Sequence, residues 1–198
     1  MTYTELVAAI KGYLNRTDLD DVIPTFIVLT EARINRTIRC RRMEKVTTYQ
    51  HDSQYEDLPS DFLEARNIQS NTQPLTVLNY VTPQYADQLI SEELTGKPKF
   101  FTIVGNQIEL VPFSEVEIRM TYYGAVPALT DDAPSNWLAT NFPDIYLYGT
   151  LVQAAMYLKD DPTTWATLFD SAVEELRIDD ERSQFHGTTP QVRGVTIG

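Results

Sequence analysis

The spacing of hydrophobic and polar positions changes period twice along the chain. Behind Thr2 and Glu5, the residues Leu6, Ile10, Tyr13 and Leu14 recur at helical spacing. Thr2-x-x-Glu5 has the form of a capping box, in which a hydroxyl and a carboxylate each satisfy a free N–H of the first turn. Asn15 to Asp18 break the pattern. A second helix is predicted from Asp20 or Asp21, with Pro24 tolerated near its first turn. Ile23, Ile27, Thr30, Ile34 and Ile38 line one face of it, and Phe26 and Leu29 widen that face. Two helices joined by so short a turn are expected to pack as an antiparallel pair.

The period then becomes two. Val116, Ile118, Met120 and Tyr122 alternate with Glu117, Arg119 and Thr121, which predicts a strand with one buried face. Residues 101–104 and 107–111 flank Gly105-Asn106, a pair suited to the positive φ of a two-residue hairpin turn. Leu75 to Val81 reads as a weaker strand. Pro83 to Leu94 reads as a short helix ended by Gly96 and Pro98. Helical spacing returns after Pro143, with Ile145, Tyr148, Val152 and Ala155 on one face and Leu151, Met156 and Leu158 beside it. Gly149 inside this helix costs about 1 kcal/mol relative to alanine, which points to a close helix crossing. Asp161-Pro162 opens a last helix, whose stripe is Trp165, Leu168, Phe169, Ala172, Val173 and Leu176. Residues 183–198 contain no acid, three glycines and one proline, and alone they cannot bury enough apolar surface to be ordered. The fold class is therefore α+β: two antiparallel helix pairs in a helical bundle (1–45 and 136–182), a β-rich insertion (46–135) and a flexible C-terminal arm (183–198).

Composition narrows the function. The chain has 198 residues, 42% of them hydrophobic and 22% charged, enough for a packed core. Sixteen Lys and Arg against 28 Asp and Glu give a net charge of −12, which disfavours general binding to nucleic acid or anionic membranes. No apolar run approaches the ~20 residues of a membrane span, and the N-terminus lacks the basic start of a signal peptide. A soluble protein made in a reducing cytosol is expected. The single cysteine, Cys40, excludes an internal disulfide and a multi-cysteine zinc site.

No phosphate-binding glycine loop, dinucleotide fingerprint or nucleophile elbow is present. His51 and His186 read as solvated, in a polar loop and in the tail. Cys40, flanked by Arg39, Arg41 and Arg42, reads as a half-buried helical cysteine; the neighbouring cations leave a reactive thiolate as the alternative. The pairs Asp20-Asp21, Asp131-Asp132 and Asp160-Asp161 suit a hard cation, but each also sits where a turn or helix cap favours aspartate. Eleven tyrosines, eight phenylalanines and two tryptophans fit core and interface packing; base stacking is their rarer use.

The charge is uneven. Residues 1–45 hold eight basic and six acidic residues, whereas 46–135 hold four and 13. Arg33, Arg36, Arg39, Arg41, Arg42 and Lys45 form one basic run. Three readings fit it: contact with DNA phosphates, an ion-pair interface with an acidic partner or a second copy, or cations placed at a helix C-terminus. The acidic remainder favours the protein contact over DNA.

Four stretches, in this order and spacing, resemble the adaptor (head–tail connector) proteins of tailed bacteriophages. They are Ile23-Pro24-Thr25-Phe26-Ile27 through Glu31-Ala32-Arg33-Ile34-Asn35-Arg36 to Met43-Glu44; Leu58-Pro59-Ser60-Asp61-Phe62-Leu63-Glu64-Ala65-Arg66; Asn136-Trp137-Leu138 through Pro143 to Gly149; and Leu158-Lys159-Asp160-Asp161 with Trp165. The resemblance covers about residues 1–187. It implies a structural virion protein and not an enzyme, without cofactor or metal. Such adaptors form a ring, typically of twelve copies, under the portal protein at the DNA exit vertex. An extended C-terminal arm reaches the portal, and the other side receives a neck or tail protein while double-stranded DNA passes through. The expected location is the virion, after assembly in the host cytoplasm, with no membrane partner.

On this reading Arg33, Arg36, Arg39, Arg41 and Arg42 pair with the acidic helix end, Glu174, Glu175, Asp179, Asp180 and Glu181, of a neighbouring copy, or with the portal. Thr188, Val192, Arg193, Val195 and Ile197 form the portal-docking arm. A neck stopper or tail-completion protein makes the same physical demands. A metal-dependent hydrolase built on an acidic pair and a cellular interaction module are the rivals from other classes.

Overall fold

The computed structural model describes residues 1–92 and 95–185, the last two of these by backbone alone. In chain order the elements are α1 (Tyr3–Leu14), α2 (Ile23–Thr37), a 3-10 turn (Arg41–Met43), β1 (Glu44–His51), β2 (Tyr55–Asp57), β3 (Phe62–Ser70), β4 (Thr76–Val77), β5 (Asn79–Tyr80), α3 (Pro83–Ser91), β6 (Phe100–Val104), β7 (Gln107–Val111), β8 (Val116–Gly124), α4 (Trp137–Asn141), α5 (Pro143–Leu158) and α6 (Thr163–Phe185). The fold is α+β. Two compact units form among the described residues, one from 1–41 with 126–185 and one from Arg42–Ala125.

In the helical unit α1 opens on the expected capping box, with the Thr2 hydroxyl accepting from Glu5 N–H and the Glu5 carboxylate accepting from Thr2 N–H. Helix α2 starts at Ile23, later than Asp20 or Asp21, and its N-cap Val22 makes no side-chain cap; Asp20 pairs with Lys11 instead. Ile23, Phe26, Ile27, Thr30, Glu31 and Ile34 form its buried face. Leu29 and Tyr13, expected on buried faces, are exposed. The Tyr13 ring packs edge-on against Trp165.

Helix α5 is the hub. Where α1 and α2 were expected to pack as a pair, both lie against α5, as do α4 and α6. Eight of its residues are buried, around most of its circumference. The crossing is close where Gly149 sits. A Cβ there would stand 2.5 Å from Thr30 Cγ2 on α2 and 3.0 Å from Phe169 Cε2 on α6. Asp161 Oδ1 accepts the Thr163 N–H at 2.9 Å and so caps α6, which buries Phe169, Ala172, Val173 and Leu176. The helix runs to Phe185 and so takes in the first three residues of the expected arm. His186, Thr188, Val192, Arg193, Val195 and Ile197 lie outside the described residues.

The second unit holds two four-stranded sheets, ordered β1-β8-β3-β4 and β2-β7-β6-β5. Every pairing is antiparallel except β5 with β6. Ile68, Ile118 and Met120 of the first sheet share a core with Phe101, Ile108 and Leu110 of the second. Helix α3 covers the other face of the second sheet, where Ala86 and Leu89 meet Val111 and Phe100. The hairpin turns at Gly105, with φ 62°, and pairs Val104 with Gln107. The single strand expected over Leu75 to Val81 is two short ones. β4 joins the first sheet and β5 the second, while Leu78 between them is buried and donates its N–H to the Ile68 carbonyl.

Residues 126–135, expected in the β-rich insertion, belong with the helices. The Val126 N–H donates to Asn35 Oδ1 at 2.9 Å and the Leu129 N–H to Glu31 Oε1 at 2.7 Å, so α2 holds the returning chain.

Candidate interaction surfaces

The basic run divides by where each helix ends. Arg33, on α2, faces α6: its Nη2 lies 3.2 Å from Asp170 Oδ1, and its guanidinium carbon sits 4.3 Å from the Phe169 ring centre. Helix α2 stops at Thr37, and Ile38 turns extended to stay buried. Arg39 therefore lies beyond the helix and folds back, donating from Nη1 to the Asn35 and Ile38 carbonyls at 2.8 and 2.7 Å. These acceptors are the carbonyls a helix end leaves open. The Arg41 N–H donates to Asp180 Oδ1 at 2.9 Å, and its Nη1 to the Ser183 carbonyl at 2.6 Å. Arg36 and Arg42 are exposed and have no partner among the described residues.

Of the acidic helix end, Asp180 meets Arg41 of its own chain, and Glu174 pairs with Arg177 one turn on. Glu175, Asp179 and Glu181 are exposed. The structure thus brings Arg41 and Asp180 together within one molecule, and it leaves Arg36, Arg42, Glu175 and Asp179 facing outward.

Sequence reasoning missed a buried polar network. Glu31 lies within the apolar face of α2, 8% exposed. Burial pushes its carboxyl up, while its two hydrogen bonds act the other way. Its Oε1 accepts from Leu129 N–H and from the Tyr146 hydroxyl at 3.1 Å. Asn136 Nδ2 donates to Tyr146 Oη at 2.8 Å and to the Pro127 carbonyl at 2.6 Å. One carboxylate thereby ties α2, the returning chain and α5 together. The available signal was an acid at the position where the α2 stripe calls for an apolar residue.

His51 is a correction. It was expected in a solvated loop; it ends strand β1 and is fully buried, because alternation turns it inward with Thr47 and Tyr49. Its ring lies 6.1 Å from that of Phe113, burial pushes its pKa down, and neither nitrogen has a partner among the described residues. No described serine or cysteine is therefore hydrogen-bonded to it as a nucleophile would be. Cys40 is also corrected: it is buried, and it lies after α2 rather than on it. In the sheet unit the Tyr122 hydroxyl donates to Asp61 Oδ1 at 3.0 Å, and Lys45 pairs with the same carboxylate. Burial, then the Asp61 charge, pushes Tyr122 up to about 12.

Among the described residues, no three His, Cys, Asp or Glu side chains are grouped to hold a metal ion. No helix among them is long and apolar enough to cross a membrane. A search of curated proteins gives no match. The model of the SU10 adaptor protein family matches residues 1–194, and the chain belongs to this family of phage head–tail adaptors.

Proposed function

We propose that this SU10-family adaptor forms a ring, of twelve copies by the family resemblance, beneath the portal, links it to the next neck or tail protein, and leaves a channel for the genome. The observation that carries the proposal is the family match over residues 1–194, nearly the whole chain. The protein works by geometry and not by bond chemistry, and its place is the virion.

A closed ring of identical subunits needs heterologous contacts, in which one face meets a different face of the next copy. The outward Arg36 and Arg42, and the outward Glu175 and Asp179, supply complementary charge for such a contact. Arg33, Arg39 and Arg41 serve the fold of their own chain and leave the interface. Each copy carries a net charge of −12, and a lumen with that excess repels phosphates, so DNA slides past without being held. The arm, Thr188 with Val192, Arg193, Val195 and Ile197, docks on the portal.

The test is the position and copy number of the protein in purified particles, read by cryo-electron microscopy and quantitative mass spectrometry. Multiple copies at the portal-proximal level of the neck are expected. Absence from the particle, or a place at the distal end of the tail, would end the proposal.

A further inference from the structure

The outer face of the second sheet holds a carboxylate without a counter-charge. Glu109 lies in the middle of β7, opposite Thr102 of β6 and Tyr55 of β2. It is 4% exposed. Gln54 Nε2 donates to its Oε1 at 2.8 Å, and its charge raises the pKa of the Tyr55 hydroxyl. No cation among the described residues pairs with it. A carboxylate out of water without an opposite charge is costly, and glutamine or an apolar residue would serve the strand better.

Alternation along β7 sends Ile108 and Leu110 into the core between the sheets. Glu109 therefore points away from that core, into a cavity of about 310 Å³ lined by Gln54, Ile90, Glu109, Leu110, Pro112 and Phe113. Phe113 is 45% exposed there. A sheltered anion, an amide oxygen and an accessible aromatic ring in one recess suit a guanidinium, which ion-pairs, hydrogen-bonds and stacks at once. The recess presents few donors for an anionic ligand.

The opposite outer face of the same two-sheet unit carries the complement. Arg119 stands in the middle of β8, opposite Thr48 and Gln69, with Ile118 and Met120 on either side turned into the core. It is exposed and has no partner among the described residues. Two opposite faces, one with an unpaired arginine and one with a recessed unpaired carboxylate, match the demand of a heterologous ring contact. We propose that the cavity over Glu109 is an arginine socket, and that Arg119 of the next copy in the ring fills it. This rests on the ring reading above.

The experiment supplies the protein in trans to phage lacking its gene and counts adaptor copies per particle by mass spectrometry. Arg119→Glu and Glu109→Gln should each lower that count by about tenfold or more, because each strands a desolvated partner. Glu109→Gln should melt no lower than the wild-type protein, since it removes an uncompensated buried charge. A clearly lower melting point would place the role of Glu109 within the fold and overturn the proposal. An undiminished copy number in either charge variant overturns the socket alone. A wild-type protein absent from the neck overturns the ring reading and the socket with it.

Discussion

Replacing Gly149 by alanine sets two known effects against each other. In a helix interior the change is favourable by about 1 kcal/mol. Here the new Cβ would stand 2.5 Å from Thr30 Cγ2, and 3.0 and 3.1 Å from two carbons of the Phe169 ring, where carbon atoms prefer roughly 3.5–4.0 Å. Neither neighbour gives way easily. Thr30 is fully buried, and its hydroxyl donates to the Phe26 carbonyl at 2.8 Å, so turning its methyl aside breaks that bond. Phe169 is 2% exposed and lies under the Arg33 guanidinium. Overpacking of this kind costs about 1–3 kcal/mol. With shortfalls on both sides the upper half of that range applies, leaving Gly149→Ala less stable by about 1–2 kcal/mol after the helix gain. For a protein of this size the melting temperature should fall by about 2–8 °C. Both tryptophans, Trp137 and Trp165, lie in the helical unit, so urea titration followed by tryptophan fluorescence reads that unit alone. Adding Thr30→Ser removes the obstructing methyl and keeps the hydroxyl. It should recover about 1 kcal/mol in a double-mutant cycle. A more stable Gly149→Ala variant, or strict additivity with Thr30→Ser, would refute the close crossing of α2 and α5.

Because burial raises the Glu31 carboxyl, the native state holds that proton more tightly than the unfolded chain does. The stabilising effect of Glu31 relative to Glu31→Gln should be greatest below the ordinary carboxylate range and shrink as the pH rises through that range and above it; the same fluorescence titration at several pH values checks this, and a difference growing with pH contradicts it. Arg36→Glu and Arg42→Glu should leave the melting temperature unchanged but reduce adaptor loading onto particles, with the deficit changing with salt; normal loading removes these residues from the interface. Arg39→Ala should instead destabilise the isolated protein by about 0.5–1.5 kcal/mol through the freed helix carbonyls, measured by urea denaturation, and an unchanged midpoint would show that those contacts carry no stability.

Helices α1, α2, α5 and α6 were legible because each writes a stripe at helical spacing. Leu6 and Ile10, or Phe169 through Leu176, leave no other period open. β8 was legible from its period of two, and the β6–β7 hairpin from its Gly105-Asn106 turn. β1 was not, because its inward side chains are Thr47, Tyr49 and His51 while Val46 faces outward, 56% exposed. Polarity along that strand runs opposite to burial, so His51 looked like a loop residue. β3 hides its period behind two irregularities in its pairing with β8, between Phe62 and Glu64 and between Ala65 and Asn67. Leu75 to Val81 looked like one strand because nothing local records that its two halves serve different sheets.

The arginines show why contact surfaces are harder to read than folds. Steps of three residues turn a helix by about 300°, so Arg33, Arg36 and Arg39 looked like equivalent positions drifting round one side. Two distant facts make them unequal. Ile38 leaves the helix to remain buried, which puts Arg39 within reach of the last carbonyls of α2. Helix α6 continues to Phe185, which carries Asp180 and the Ser183 carbonyl to Arg41. Charge pattern alone pairs every arginine with every acid. Once the fold has engaged Arg33, Arg39 and Arg41 internally, the cations left for another molecule include Arg36, Arg42 and Arg119. If subunits pair through those three, a reversal at Arg33 or Arg41 should act first on the stability of the free protein.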